Sequence, residues 1–467
     1  MYILPSVVLG LPFVGALFLL FVRGGDRAVS KNSRHVALLI TVSVFGLSLL
    51  ALAAGGDISP TRADWRTDVD ALSMFFVLLI SFVTVPAVCV VRRHVPFAVR
   101  EFCFLALTAE GFMLSAVCAH DMWRCFAFWE AAAVPLFLMV AVWGAEKRVF
   151  TAYKFFFSDL AGALCLMPAL CYLENRTGTS GFAGVARIAL SAREQAGLAV
   201  AFIAALAFKA PLFPFHAWLG ETQAESPAPT GILLCGAFSK LTFYAFFRLV
   251  LPVTGAVLQP AAPYLICWAA FSALYGALVA LKQTEIKKIA GFAHLTQVGF
   301  LTAGVFCLSV VALKSLLFLC AAQGLSLTAY LMAAGALYAR FKAAQIRNPT
   351  GVMSLFPYLG TTFFLSCLAV LAVPPLMPFT GQVLIFAAVF SRSAAAGAML
   401  LFSVALLCAA FFRLFTRLMF GEADIAPAVA DMSWREKTAT VLFGAVFAAL
   451  SVVPDLVFSL AQKAVGG

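Results

Sequence analysis

Apolar runs of about twenty residues recur along this 467-residue chain, and they limit its fold more than any other feature. A helix needs roughly 20 apolar residues to cross the hydrocarbon core of a bilayer. Runs of this kind centre near residues 12, 45, 80, 110, 132, 162, 204, 240, 270, 298, 325, 375, 407 and 450. The pattern predicts an all-α, polytopic membrane protein of about 14 transmembrane helices.

The composition excludes an ordinary soluble protein. Hydrophobic residues make up 63% of the chain and charged residues 11%, against about half and about a quarter in a soluble domain. The net charge of +11 does not indicate nucleic-acid binding, because the basic residues lie mostly between the apolar runs. Basic loops such as 340–347 follow odd-numbered spans, and even loops such as 55–69 are less basic. The positive-inside rule therefore predicts that both termini lie on the outer side.

The chain carries no motif of a cofactor or metal site. Most of its 12 cysteines lie inside apolar stretches, and no CxxC pair occurs, so they are expected to be small buried apolar residues. Neither a GxGxxG sequence nor a P-loop is present. We therefore expect no metal, nucleotide or flavin in this chain.

Two of the predicted spans, the seventh and the twelfth, are interrupted by proline. The prolines are Pro211 and Pro214 in the seventh span, and Pro374, Pro375 and Pro378 in the twelfth. Proline removes a backbone donor and breaks a helix, and a broken helix at membrane depth must face protein or a wet cavity. Breaks at corresponding places in two halves indicate an inverted repeat. We predict a single transmembrane domain with two inverted five-helix repeats, about 102–251 and 259–419, and flanking helices at both ends.

Three ionisable side chains lie deep in apolar spans: Glu130 in the fifth, Lys209 in the seventh and Lys240 in the eighth. Such a residue costs at least about 2.5 kcal/mol at the bilayer centre, so it is a functional candidate. A pair between Glu130 and Lys209 would hold both groups charged. Breaking the pair would favour release of the lysine proton, which Lys240 could accept through water. The alternative is a static salt bridge that fixes helix packing.

Four further polar residues lie near these groups. His216 follows the first break, where it either relays a proton or caps the broken helix. Glu225 lies in a short polar loop and either belongs to a proton entry or is simply solvated. In the sixth span, Lys154 is expected to reach towards the membrane interface, while Asp159 lies deeper and has no assigned role.

The stretch FKAPLFPFHAWL at 208–219, followed by AESP at 224–227 and by Lys240, resembles the antiporter-like subunits of proton-pumping NADH:quinone oxidoreductase, respiratory complex I. FWE at 128–130 and VWG at 142–144 resemble subunit M in particular, within the wider family of multisubunit cation/proton antiporters. The resemblance covers roughly residues 100 to 390. It implies that Glu130 pairs with Lys209 and that Lys240 relays protons along the membrane midplane.

The same resemblance implies that this chain is a proton-pumping subunit without redox chemistry of its own. NADH, FMN, iron–sulfur clusters and quinone would then bind to partner subunits. The expected partners are L-like and N-like antiporter subunits of the same complex, or small antiporter subunits, together with the lipid bilayer and protons. The expected location is the bacterial inner membrane, with both termini on the periplasmic side.

This sequence departs from the family pattern in its second half. Subunit M typically has an acid in the twelfth span, where this chain has Gln382, and histidines in the tenth and eleventh, where Gln297 and Gln323 stand. Compared with this family pattern, the second half of the chain has lost its titratable groups. Pro374-Pro375-Leu376 looks more like the D-type subunit of multisubunit sodium/proton antiporters, or like subunit N of complex I. Three functions thus stay open: a proton-translocating subunit, a D-type antiporter subunit, and a structural paralogue without transport.

Overall fold

The computed structural model describes residues 4–54, 69–341, 351–420 and 431–466, and within these ranges the chain is almost entirely helical. The described residues form no β-strand and contain only isolated bridge residues, such as the pair Asp121 and Gly181. The predicted all-α class is therefore confirmed. Loop 340–347 and loop 55–69, which carry part of the orientation argument, lie largely outside the described residues, so the placement of the termini stays a prediction.

The first half contains α1 (Leu4–Leu20), α2 (Asp26–Ala53), α3 (Ala71–His94), α4 (Val99–Val117), α5 (Met122–Trp143), α6 (Arg148–Thr177), α7 (Phe182–Ala186), α8 (Ala192–Lys209), α9 (Leu219–Glu225), α10 (Ala228–Gly236) and α11 (Leu241–Ala245). The second half contains α12 (Leu251–Lys282), α13 (Ile286–Phe306), α14 (Val310–Phe341), α15 (Val352–Leu355), α16 (Pro357–Val370), α17 (Met377–Arg392), α18 (Ala394–Met419), α19 (Trp434–Val452) and α20 (Asp455–Gly466).

Eight helical stretches of the described chain are long and apolar enough to cross a membrane, or nine if the bent pair α19 and α20 is one span. One stretch, Ala228–Lys282, runs through α10, α11 and α12. Its 55 residues are more than two spans need, and Trp268 of α12 lines one cavity with Thr242 and Phe246, so the stretch does not run as one straight helix. Other apolar helices, such as α16, are short. The multi-pass architecture is thus confirmed, and the number of fourteen spans stays a prediction.

Both predicted breaks are present. α8 ends at Lys209, and the chain passes through a 3-10 turn at Phe215–Trp218 into α9. α16 ends at Val370, and α17 begins only at Met377. The seventh and twelfth predicted spans are therefore discontinuous, as their prolines predict.

The two breaks share a backbone hydrogen-bond pattern. At the first, the amide of Leu212 donates to the carbonyl of Ala207 over 3.0 Å; at the second, the amide of Val373 donates to the carbonyl of Leu368 over 3.1 Å. Each bond reaches back five residues, where an α-helix would reach back four. The shared pattern supports the prediction that the two breaks occupy corresponding positions in two repeats. The repeat boundaries at 102–251 and 259–419 stay a prediction.

Side chains from other helices bond to the backbone groups that the breaks release. At the first break, the amide of Phe213 donates to Ser272 Oγ over 3.0 Å, and the indole of Trp268 donates to the Phe213 carbonyl over 2.8 Å. At the second, the amide of Met377 donates to Ser451 Oγ over 2.8 Å. The broken backbone therefore faces protein, as it must at membrane depth.

We predict that Ser272→Ala destabilises the chain, because it leaves the Phe213 amide at the break without its acceptor. An unsatisfied buried donor costs about 1–3 kcal/mol, which should lower the midpoint of thermal unfolding of the solubilised protein. The matched control is Ser403→Ala, whose buried hydroxyl donates to the Leu400 carbonyl within α18. Equal midpoints for the two variants would contradict the expected role of Ser272.

Candidate functional site

Lys209, the last residue of α8, forms a buried cluster with two acids. Its ammonium lies 2.7 Å from Glu130 Oε1 of α5 and donates a hydrogen bond to Asp159 Oδ1 of α6 over 3.0 Å. The ammonium also lies 4.5 Å from the ring centre of Trp129, a cation–π distance. The predicted contact between Glu130 and Lys209 is present, and Asp159 joins it.

Local sequence explains why the lysine can sit there. Pro211 cannot continue α8, so the helix stops with Lys209 at its end. Gly162 lies one turn after Asp159 on α6, and a Cβ at this glycine would come within 2.9 Å of Lys209 Cγ. The absence of a side chain at Gly162 therefore leaves room for the lysine stem between α6 and α8.

The cluster contains one amine and two carboxyl groups, and its chemistry follows from that ratio. Lys209 and Asp159 are almost fully buried, and Glu130 is partly exposed. With all three groups ionised the cluster is negative by one charge, so a proton bound to either carboxyl group would neutralise it. The arrangement can hold a proton and give the ammonium two alternative partners.

Lys240 is fully buried and lies apart from this cluster. It ends a 3-10 turn between α10 and α11, and its ammonium has no hydrogen-bond partner within the described ranges. Its charge acts on the thiols of Cys235 in α10 and Cys320 in α14. An unpaired amine in such a place is expensive for the fold, so it is a candidate for a proton-accepting group.

His216 lies in the 3-10 turn after the first break and is buried. Its ring centre lies 5.7 Å from that of Phe213 and 4.8 Å from that of Tyr275. The Nδ1 atom has no hydrogen-bond partner in the described part of the chain. The structure thus places His216 in an aromatic contact, and its role as a relay stays a prediction.

Glu225 ends α9 and holds the loop between α5 and α6. Its Oε2 accepts a hydrogen bond from the Lys147 amide, and its backbone carbonyl accepts one from the Ala145 amide, each over 2.9 Å. Nearby, the Lys154 ammonium donates to Glu221 Oε2 over 2.8 Å. Lys154 therefore forms an ion pair with Glu221 of α9. The sequence predicts only that Lys154 reaches towards the membrane interface, and it does not predict this partner.

The three glutamines lie in different helices. Gln297 of α13 is buried, and its Nε2 donates to the Val370 carbonyl at the second break over 3.2 Å. Gln323 of α14 is also buried, and Gln382 of α17 is partly exposed. Gln297 thereby satisfies a backbone group that the break releases.

Sequence reasoning missed two buried ionisable residues and left Asp159 without a role. Glu110 of α4 and His294 of α13 are fully buried, and among the described residues neither side chain has a hydrogen-bond partner. Both stand in apolar sequence, which is the signal that identified Glu130. The expectation that the far half has no titratable group is therefore wrong, because His294 lies there, one turn from Gln297.

Comparisons with known proteins agree with this architecture. Residues 119–408 match the family described as NADH:quinone oxidoreductase/Mrp antiporter, TM. NADH-quinone oxidoreductase subunit M of Rhodobacter capsulatus is 27% identical, over 98% of this chain and 94% of that protein. NADH-ubiquinone oxidoreductase chain 4 of Marchantia polymorpha is 28% identical, over 76% of this chain and 72% of that protein.

Solved structures show the same fold. A chain of respiratory complex I from Thermus thermophilus superposes with a TM-score of 0.89 at 26% identity, over 99% of both chains. A chain of the Mrp complex from Dietzia sp. has a TM-score of 0.86 at 18% identity, over 99% of this chain and 96% of that one. The second likeness concerns the fold alone.

We predict that the two acids at Lys209 can replace each other as its partner. Glu130→Gln and Asp159→Asn should each be tolerated, because one carboxylate remains beside the ammonium. The double variant leaves Lys209 buried and unpaired, which costs about 3–5 kcal/mol. Thermal unfolding of the solubilised protein measures this, and a double variant that loses no more stability than the sum of the single losses would contradict the shared role.

Proposed function

Because this chain belongs to the NADH:quinone oxidoreductase/Mrp antiporter transmembrane family, we propose that it is the M-like, proton-translocating subunit of an NADH:quinone oxidoreductase. In this function it couples quinone reduction in the complex to proton transfer across the membrane. The observation that carries the proposal is the buried cluster of Glu130, Asp159 and Lys209 at a helix break. A separate buried amine, Lys240, supplies the next acceptor.

The cluster can load and release a proton. While Glu130 and Asp159 are ionised, they hold the Lys209 ammonium in its charged form. Movement of the ammonium away from the acids leaves it in an apolar site that favours the neutral amine, so the proton departs. Lysine suits this role because its protonation responds to burial, whereas an arginine stays charged. Lys240 can accept the proton through water.

The remaining parts of the enzyme belong to other chains in this proposal. NADH, FMN, iron–sulfur clusters and quinone bind to partner subunits, and this chain takes no part in the redox chemistry. Its direct partners are L-like and N-like membrane subunits. The complex lies in the bacterial inner membrane, and both termini of this chain face the periplasm.

A second candidate function is that of the D-type subunit in a multisubunit sodium/proton antiporter. The sequence Pro374-Pro375-Leu376 at the second break favours it. A third, a structural paralogue without transport, is favoured by Gln297, Gln323 and Gln382, none of which can titrate. Copurification in mild detergent separates the first two: dehydrogenase subunits support the first candidate, and small antiporter subunits support the second.

Lys240→Ala should lower proton pumping while electron entry stays intact. Loss of a positioned proton-transfer group slows transfer by about 100-fold or more, so fewer protons should cross per electron pair. Dye quenching in inverted membrane vesicles measures pumping, and NADH oxidation with an artificial acceptor measures electron entry. Lys463→Ala, at an exposed position on α20, is the control. Normal pumping by Lys240→Ala would remove Lys240 from the pathway.

The side chain at position 382 should distinguish conduction from a structural role. Glutamine can hold a water molecule but cannot store a proton. If protons pass Gln382, then Gln382→Leu should reduce protons pumped per electron pair, because it removes a polar contact, and Gln382→Glu should be tolerated. If the chain is structural, both variants should pump as the unaltered complex does. If Gln382→Leu pumps as many protons per electron pair as the unaltered complex, protons do not pass Gln382.

A further inference from the structure

His294 is a buried imidazole without an evident structural role. It lies in the middle of α13, a helix that is buried along nearly its whole length, and is itself 0% exposed. Neither ring nitrogen has a hydrogen-bond partner among the described residues. A histidine that only fills a core usually has at least one such bond, and polar groups at membrane depth are expensive. The position therefore calls for a functional account.

The surroundings of His294 connect the two halves of the chain. Helix α14 packs against both α10 and α13, so Lys240, which follows α10, and His294 of α13 lie in the same buried region of the helix bundle, where the charge of Lys240 acts on the imidazole. On the other side, Gln297 is three residues further along α13 and thus on the same helix face. Gln297 in turn bonds the Val370 carbonyl at the second break. His294 is thus influenced by the unpaired amine of Lys240 and shares a helix face with Gln297, which contacts the second break.

We propose that His294 accepts the proton that leaves Lys240 and passes it on towards the second break. This inference rests on the proposed function, since it extends the pathway beyond Lys240. It assigns a titratable group to the half of the chain where Gln297, Gln323 and Gln382 cannot hold a proton.

The proton balance of this step is simple. The Lys240 ammonium loses one proton through water to one imidazole nitrogen, which leaves a neutral amine and an imidazolium. The imidazolium then releases a proton from its other nitrogen towards Gln297, which leaves the neutral imidazole in its second tautomer. Rotation of the ring restores the first arrangement. No electrons move, and histidine is suited to the step because each ring nitrogen can bind or release a proton.

The geometry also predicts a rescue. Because Gln297 lies on the same face one turn away, a histidine placed there should face the same buried region. The test therefore compares His294→Gln with the double variant His294→Ala/Gln297→His in the assembled complex in inverted vesicles. Protons pumped per electron pair are measured by dye quenching, and NADH oxidation with an artificial acceptor reports assembly. Lys240→Ala is measured alongside, and His35→Gln, at an exposed position on α2, is the control.

We expect His294→Gln to lower pumping to the level of Lys240→Ala, the double variant to recover most of the loss, and His35→Gln to pump normally. Normal pumping by His294→Gln, with Lys240→Ala impaired, would overturn the inference and leave the proposed function standing. Normal pumping by both would contradict the proposed function itself. If His294→Gln does not assemble, the double variant decides: restored pumping supports the relay, and an assembled double variant that does not pump overturns it.

Discussion

The contact of one lysine with two acids is the interaction on which the centre of this molecule depends. It ties α5, α6 and α8 together where α8 ends, because Glu130, Asp159 and Lys209 come from three separate helices. In an apolar environment none of these charges is tolerable alone. The helices must therefore keep their mutual positions as long as the groups stay ionised, so the packing depends on the protonation state of the cluster.

The two helix breaks impose the second constraint. Each break releases backbone donors and acceptors that lipid cannot satisfy, so other helices must supply partners. Ser272 and Trp268 of α12 do this at the first break, and Gln297 of α13 contributes at the second. Because a broken helix needs partners from its neighbours, the neighbouring helices pack close to each break, and their polar side chains gather there.

The sequence predicted the parts of this site that leave a local mark. Glu130, Lys209 and Lys240 stand out because each is charged within apolar sequence, and the breaks stand out because of their prolines. The Asp159 contact could not be predicted, since its position on α6 does not say which neighbour the side chain faces. His294 was missed because the family pattern points to the position three residues later. The number of spans stays a prediction because α10, α11 and α12 follow one another without a loop, so the helix boundaries of the structure do not separate the spans predicted near residues 240 and 270.

The hydrogen bond from Gln297 to the second break has a consequence for ion selectivity. Its Nε2 donates one hydrogen bond to the Val370 carbonyl, and this bond fixes the orientation of the side-chain amide. The Oε1 atom, a hydrogen-bond acceptor, has no partner among the described residues, so a hydrated proton or a protonated base can donate to it. A side chain that cannot titrate can in this way still stabilise a positive charge, because the broken helix holds its acceptor oxygen in one orientation.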